Sequence, residues 1–143
     1  MGAVLTISSF LVHDGDQVVR YGVALQSCEF AASTAAWGNV DDHLKLAAGL
    51  ESFPVAADSI VNYQFGTPGS GACQLHFHCT DALGHVGLWA TFSSPYPVGR
   101  TERHETASIF MRCDPSAIDS FVAALRQFVA GSANRAELLG LEA

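Results

Sequence analysis

Residues 74–89, QLHFHCTDALGHVGLW, hold three of the chain's six histidines, one of its four cysteines and one of its two tryptophans. His76 and His78 are two apart, so on an extended chain both imidazoles point the same way, the geometry from which zinc sites are built. A metal site needs a third ligand. His85 falls on the same face but further along the sheet, Cys79 points to the opposite face, and His104 reaches the pair only around Trp89. No Glu follows at the short spacing of cupin-type sites, and a second cupin motif is missing. A metal-dependent, cupin-like enzyme using His76 and His78 therefore stands as the alternative. The main expectation is a polar, half-exposed sheet face with no metal.

Other reactive arrangements are weaker. The chain has no G-x-S-x-G elbow, no P-loop and no G-x-G-x-x-G. GSG at 69–71 reads as a loop tip. Cys28 and Cys113 lie in strand patterns, where buried thiols are inert. Asp41 with Asp42 fits a helix first turn, and Glu102 with Glu105 fits an exposed strand. No catalytic residue and no cofactor is expected.

The elements that position the histidines follow from alternation. Cys73, Leu75, Phe77 and Cys79 are apolar, while Gln74, His76, His78 and Thr80 are polar. Beyond the turn DALG, Val86, Leu88, Ala90 and Phe92 face the core, and His85, Gly87, Trp89 and Thr91 face away. Pairing Thr80 with His85 satisfies both strands at once and sets His78 against Gly87 and His76 against Trp89. In TERHETASIFMRC, Ala107, Ile109, Met111 and Cys113 point inward, and His104, Thr106 and Ser108 outward. A symmetric return of that strand predicts a cross-strand row His76–Trp89–His104.

Around this hairpin, VLTISSFLV reads as a strand, and VVRYGVALQSCEF as a longer one, bulged where its apolar parity shifts at Cys28 and Phe30. A short extended piece runs through Trp37 to Gly38. Asn39 caps an expected helix that ends before Pro54, with Val40, Leu44, Ala47 and Leu50 on its apolar face, widened by Leu46 and Phe53. SIVNYQF alternates, with Val61, Tyr63 and Phe65 on one side. Asp114 caps the second helix, Pro115 opens it, and Gly131 ends it after a stripe of Ile118, Phe121, Val122, Leu125, Phe128 and Val129. The resulting fold class is α+β, an antiparallel sheet of about six strands with both helices on one face. Residues 1–131 form one domain, and 132–143 a tail that adds a helical turn or frays.

Charged residues make up 15% of the 143 residues, against the usual ~25%. A sheet or helix surface covered by another chain accounts for that shortfall, and so does a surface rich in Ser, Thr, Gly and Ala. Seven basic against fourteen acidic residues leave a net charge of −7, which excludes nucleic acid as a direct partner. No run approaches a membrane span, and no export signal precedes the first strand, so the expected compartment is the cytoplasm, with all four cysteines as thiols.

Three stretches, CEFAASTAAWGNVDDHLKLAAGLESFP, LHFHCTDALGHVGLWATF and CDPSAIDSFVAALRQF, resemble a group of small bacterial proteins that includes the WapI-like immunity proteins of contact-dependent toxin systems. The resemblance runs from about Val18 to Phe128 and implies a non-enzymatic domain that binds and blocks a toxin. The expected partner is a protein, a toxin or a second copy of the chain itself. The expected contact surface is the outward sheet face with Trp89, His76, His78 and His104, joined by Glu102. A self-associating domain with no outside partner is the third reading.

Overall fold

Ten elements follow one another among the described residues, and the hairpins between them decide most of the architecture. The computed structural model describes residues 2–13, 17–95, 105–131 and 134–141, and of residues 10–13 the backbone only. The order is β1 (Val4–His13), β2 (Val18–Gln26), β3 (Ala31–Asn39), α1 (Asp42–Leu50), β4 (Ile60–Gly66), β5 (Ala72–Cys79), β6 (Val86–Ser93), β7 (Thr106–Cys113), α2 (Pro115–Gln127) and β8 (Arg135–Leu139).

The fold is α+β, but the expected sheet of about six strands is two antiparallel sheets of four. One has the order β3-β2-β1-β8, the other β4-β5-β6-β7. Consecutive strands pair antiparallel within each set, and β8 alone joins a strand far from it in sequence, β1. Between the sets α1 interrupts the run, and β3 then lies against all four strands of the second sheet without pairing with β4. The Thr34 hydroxyl, donating to the Ser93 carbonyl at 2.7 Å, pins that junction.

Three local expectations change with it. The parity shift after Leu25 is the β2–β3 turn, where Ser27 N–H donates to the Phe30 carbonyl and Phe30 is exposed. The irregularity in register lies in β1 instead, between Ser9 and Leu11. The piece around Trp37 is a full nine-residue strand. The tail, expected as a helical turn or a frayed end, supplies β8. Ala136 and Leu138 alternate into the core, and five residues pair with β1. Chain beyond it is also held, since Leu141 N–H donates to the Arg112 carbonyl at 2.7 Å.

The helices do not share one face of one sheet. They pack on each other, α2 also against β8 and α1 against β4, and their apolar side chains join both sheets in one core cluster. α2 follows its sequence reading at Pro115 in its first turn and at the buried Ile118, Phe121, Val122 and Leu125, but the Asp114 side chain before it makes no capping hydrogen bond. It stops at Gln127, so Phe128 stays in the core while Val129 turns out to 60% exposure. α1 starts three residues after Asn39, which ends β3. Its buried face is Asp42, His43, Leu46, Ala47 and Leu50, and Leu44 is 45% exposed.

Two polar residues in that core face need partners, because a buried polar group left unpaired costs free energy. The Tyr21 hydroxyl donates to the Asn39 carbonyl at 2.6 Å, and His43 Nδ1 lies 3.2 Å from the same oxygen. Tyr21 gives its one proton to the closer acceptor, and the His43 ring also bonds the Phe128 carbonyl. Asp42 accepts the Asn39 N–H at 3.0 Å and also a bond from the Tyr63 hydroxyl. Gly38 is required here, since a Cβ at that position would overlap the Asp42 carboxylate.

Candidate functional site

The second sheet buries one face and presents the other, and the presented face is the candidate site. β5 and β6 pair in the register read from sequence, with His78 opposite Gly87, His76 opposite Trp89 and Thr80 N–H donating to the His85 carbonyl at 2.8 Å. Cys73, Leu75, Phe77, Val86, Leu88, Ala90 and Phe92 are buried beneath. Continued across all four strands, the outward side chains form three rows. Gln64, Gln74, Thr91 and Ser108 make the first, Asn62, His76, Trp89 and Phe110 the second, Ile60, His78, Gly87 and Arg112 the third.

The neighbour of Trp89 on its far side is thus Phe110, which corrects the expected His76–Trp89–His104 row. β6 ends with Ser93 paired to Thr106, and that register sets Trp89 opposite Phe110. His104 and Glu102 lie outside the described residues. The structure brings together Trp89, His76 and His78, and adds Phe110, Asn62 and Arg112. Phe110 and Arg112 have the outward parity of Thr106 and Ser108, so the signal for them was the alternation itself, carried two residues further.

Within the rows, side chains hold one another. Gln74 Nε2 donates to Gln64 Oε1 at 2.8 Å, and the hydroxyls of Thr91 and Ser108 are 2.9 Å apart. His76 Nδ1 donates to Asn62 Oδ1 at 2.6 Å, fixing the ring and leaving Nε2 outward. The His76 and His78 rings stack at 5.3 Å between centroids, and Phe110 lies 5.0 Å from Trp89 and 6.1 Å from His78. Gly87 makes room for this, because a Cβ there would sit 2.8 Å from the His78 ring. His78 Nδ1 is buried by its neighbours without a hydrogen bond. Trp89 is 46% exposed.

Beside Trp89 the face has a hollow lined by Asn62, Gln64, Gln74, His76 and Thr91. No three His, Cys, Asp or Glu side chains come together anywhere among the described residues. With one nitrogen of His76 committed to Asn62, the pair offers a metal two ligands at most. The thiols do not supply a nucleophile to this face either. Cys73 and Cys113 are buried under it, and burial pushes both up to about 12, with Asp114 adding to the rise at Cys113. Cys28 is exposed on the β2–β3 turn.

A different cluster closes the end of the hairpin. Asp81 Oδ1 accepts the N–H of Leu83 at 2.9 Å, and its Oδ2 lies 2.6 Å from His85 Nδ1. The hydrogen bond from His85 holds the Asp81 carboxyl below the usual carboxylate range. His85 Nε2 also lies 3.7 Å from Asp114 at the start of α2. This arrangement clips a turn to a helix and has no nucleophile within it. Asp41 and Asp42 are likewise occupied at the start of α1, where Lys45 approaches both, and Glu105 is exposed beside β7.

Comparison with known proteins finds no family model, no curated protein and no solved structure that matches this chain. No helix among the described residues is long and apolar enough to cross a membrane.

Proposed function

We propose that this chain is a non-enzymatic binding protein that acts through the outward face of the β4–β7 sheet on a protein partner, in the manner of an immunity or antitoxin protein. The observation that carries the reading is the row Asn62–His76–Trp89–Phe110. It sets two aromatic side chains and a stacked histidine on a face whose hydrogen bonds hold it rigid, and rigid exposed aromatics are the side chains that anchor protein interfaces. The low charge content agrees with a surface that spends its working life covered. The resemblance to WapI-like immunity proteins supports the same reading and names the partner class, a toxin.

The test is stoichiometric capture. Tagged chain is expected to retain one protein from its source cells in a fixed ratio, and Trp89→Ala to lose it while circular dichroism and thermal midpoint hold. A variant that keeps the partner removes Trp89 from the contact. Absence of any stoichiometric partner, together with a concentration-independent monomer by light scattering, would overturn the reading.

A further inference from the structure

Resting on the reading of this face as a docking surface, we infer that its partner presents a carboxylate to Arg112, flanked by apolar side chains that enter between Phe30 and Phe110. The inference starts from where the charges go. The chain carries fourteen acidic residues, yet none of the outward positions in the three rows is Asp or Glu. The groups there that can carry charge are Arg112, His76 and His78, all of one sign.

Every other described basic side chain has a partner. Lys45 lies by Asp41 and Asp42, Arg126 by Glu51, Arg135 by Glu137, and Arg20 stacks over the Trp37 ring at 5.3 Å. Arg112 has no ion pair among the described residues, and Arg100 and Arg103 lie outside them. Its surroundings are apolar. It shares a groove of about 360 Å³ with Phe30, which is 67% exposed, and Phe110, over a floor that includes Met111 and Leu141. Glu29, on the β2–β3 turn, borders the same groove without reaching ion-pair distance.

A guanidinium that shares a groove with two aromatic side chains is a site where a carboxylate gains a charge-assisted hydrogen bond and apolar neighbours of that carboxylate gain contact. Phe110 joins this groove to Trp89, so one segment can occupy both. A second copy docked face to face fits poorly, because a twofold interface sets Arg112 and the histidines against like groups with no acid between them.

The test uses two synthetic peptides and the whole protein. Acetyl-Leu-Glu-Phe-Glu-Leu-amide and its Gln counterpart are titrated while the Trp89 indole N–H and the Phe30 and Phe110 amides are followed by NMR. The Glu peptide is expected to bind about threefold more tightly at low ionic strength, the size an ion pair at a half-exposed site supports. The gap is expected to close in Arg112→Gln and in about 0.5 M sodium chloride. Equal binding of both peptides at these resonances overturns the carboxylate while leaving the docking face standing. Binding that shifts none of them overturns the location, as does no binding at all. If the peptide-free protein dimerises through the same resonances, the occupant is a second copy and a foreign acidic partner is excluded.

Discussion

Tyr21→Phe isolates one buried hydroxyl and leaves everything apolar about that side chain in place. The Tyr21 ring is fully buried, with centroids 5.2 Å from Phe65 and 6.4 Å from Phe128, and a phenylalanine preserves both contacts. What is lost is the donor to the Asn39 carbonyl and the hydroxyl that meets His43 Nδ1. His43 is 4% exposed, so its nitrogen cannot turn to water and takes the full cost of an unpaired buried group, about 1–3 kcal/mol. Asn39 is exposed and its carbonyl can be hydrated, which limits that loss to about 0.5–1.5 kcal/mol. The expected total is about 1.5–4.5 kcal/mol, measured as a shift in urea midpoint at constant slope. A double-mutant cycle divides it. With His43→Phe already present, Tyr21→Phe should cost only the Asn39 share, so a coupling of about 1–3 kcal/mol is expected. A cost under about 0.5 kcal/mol in wild type, or zero coupling, would refute the hydrogen-bond assignment and reduce the site to packing.

The same histidine predicts a pH dependence. Burial lowers the His43 pKa from 6.5, so the unfolded chain binds its proton more readily than the folded one. Its contribution is complete above pH 6.5 and is lost as pH falls from there through the lowered folded value, whereas His43→Phe should show a flatter difference curve in urea midpoints between pH 8 and 5. Gly87→Ala sets a methyl 2.8 Å from the His78 ring and 2.7 Å from the Thr80 methyl, so the ring must leave the face. A loss of about 1 kcal/mol is expected, with the ring-current shifts between His76 and His78 gone from the NMR spectrum; an unchanged stack is the contrary result. Cys28 should react with a thiol reagent at pH 8 in the native protein, while Cys73 and Cys113, buried and pushed up to about 12, should react only on unfolding. Reaction of all four at one rate would contradict the described burial.

How far the sequence carried depended on whether a local rule could decide the outcome. The β5–β6 register was legible because a four-residue turn and two alternating strands admit one solution, and Thr80 with His85 supplied it. α2 was legible because Pro115 at its start and an unbroken apolar stripe agree. β3 was read too short, because AASTAA is built from residues of low strand propensity and is held by its pairing with β2. RAELL favours a helix by composition, yet the free edge of β1 makes it β8. The split into two sheets was not legible at all, since alternation says which way a side chain points and nothing about which edge a strand joins. His43 escaped notice for the opposite reason: a histidine is not expected in a helix's core face unless Tyr21, on another strand, is known to meet it.

The division between the two faces of the second sheet is what makes the functional reading open to a clean test. Leu75, Phe77, Leu88 and Met111 point into the shared core, so changing them costs several kcal/mol and unfolds the evidence of any binding role along with the protein. Trp89, Phe110 and Arg112 stand on the other side of the same backbone, at least partly exposed and outside the core cluster. A structural role and a recognition role therefore predict different things at these three positions. If Trp89→Ala and Arg112→Gln lower stability as much as a core truncation does, the face is covered by its own chain and the docking reading fails. If they leave the urea midpoint within about 0.5 kcal/mol of wild type and still abolish partner retention, the side chains are held outward for a second molecule.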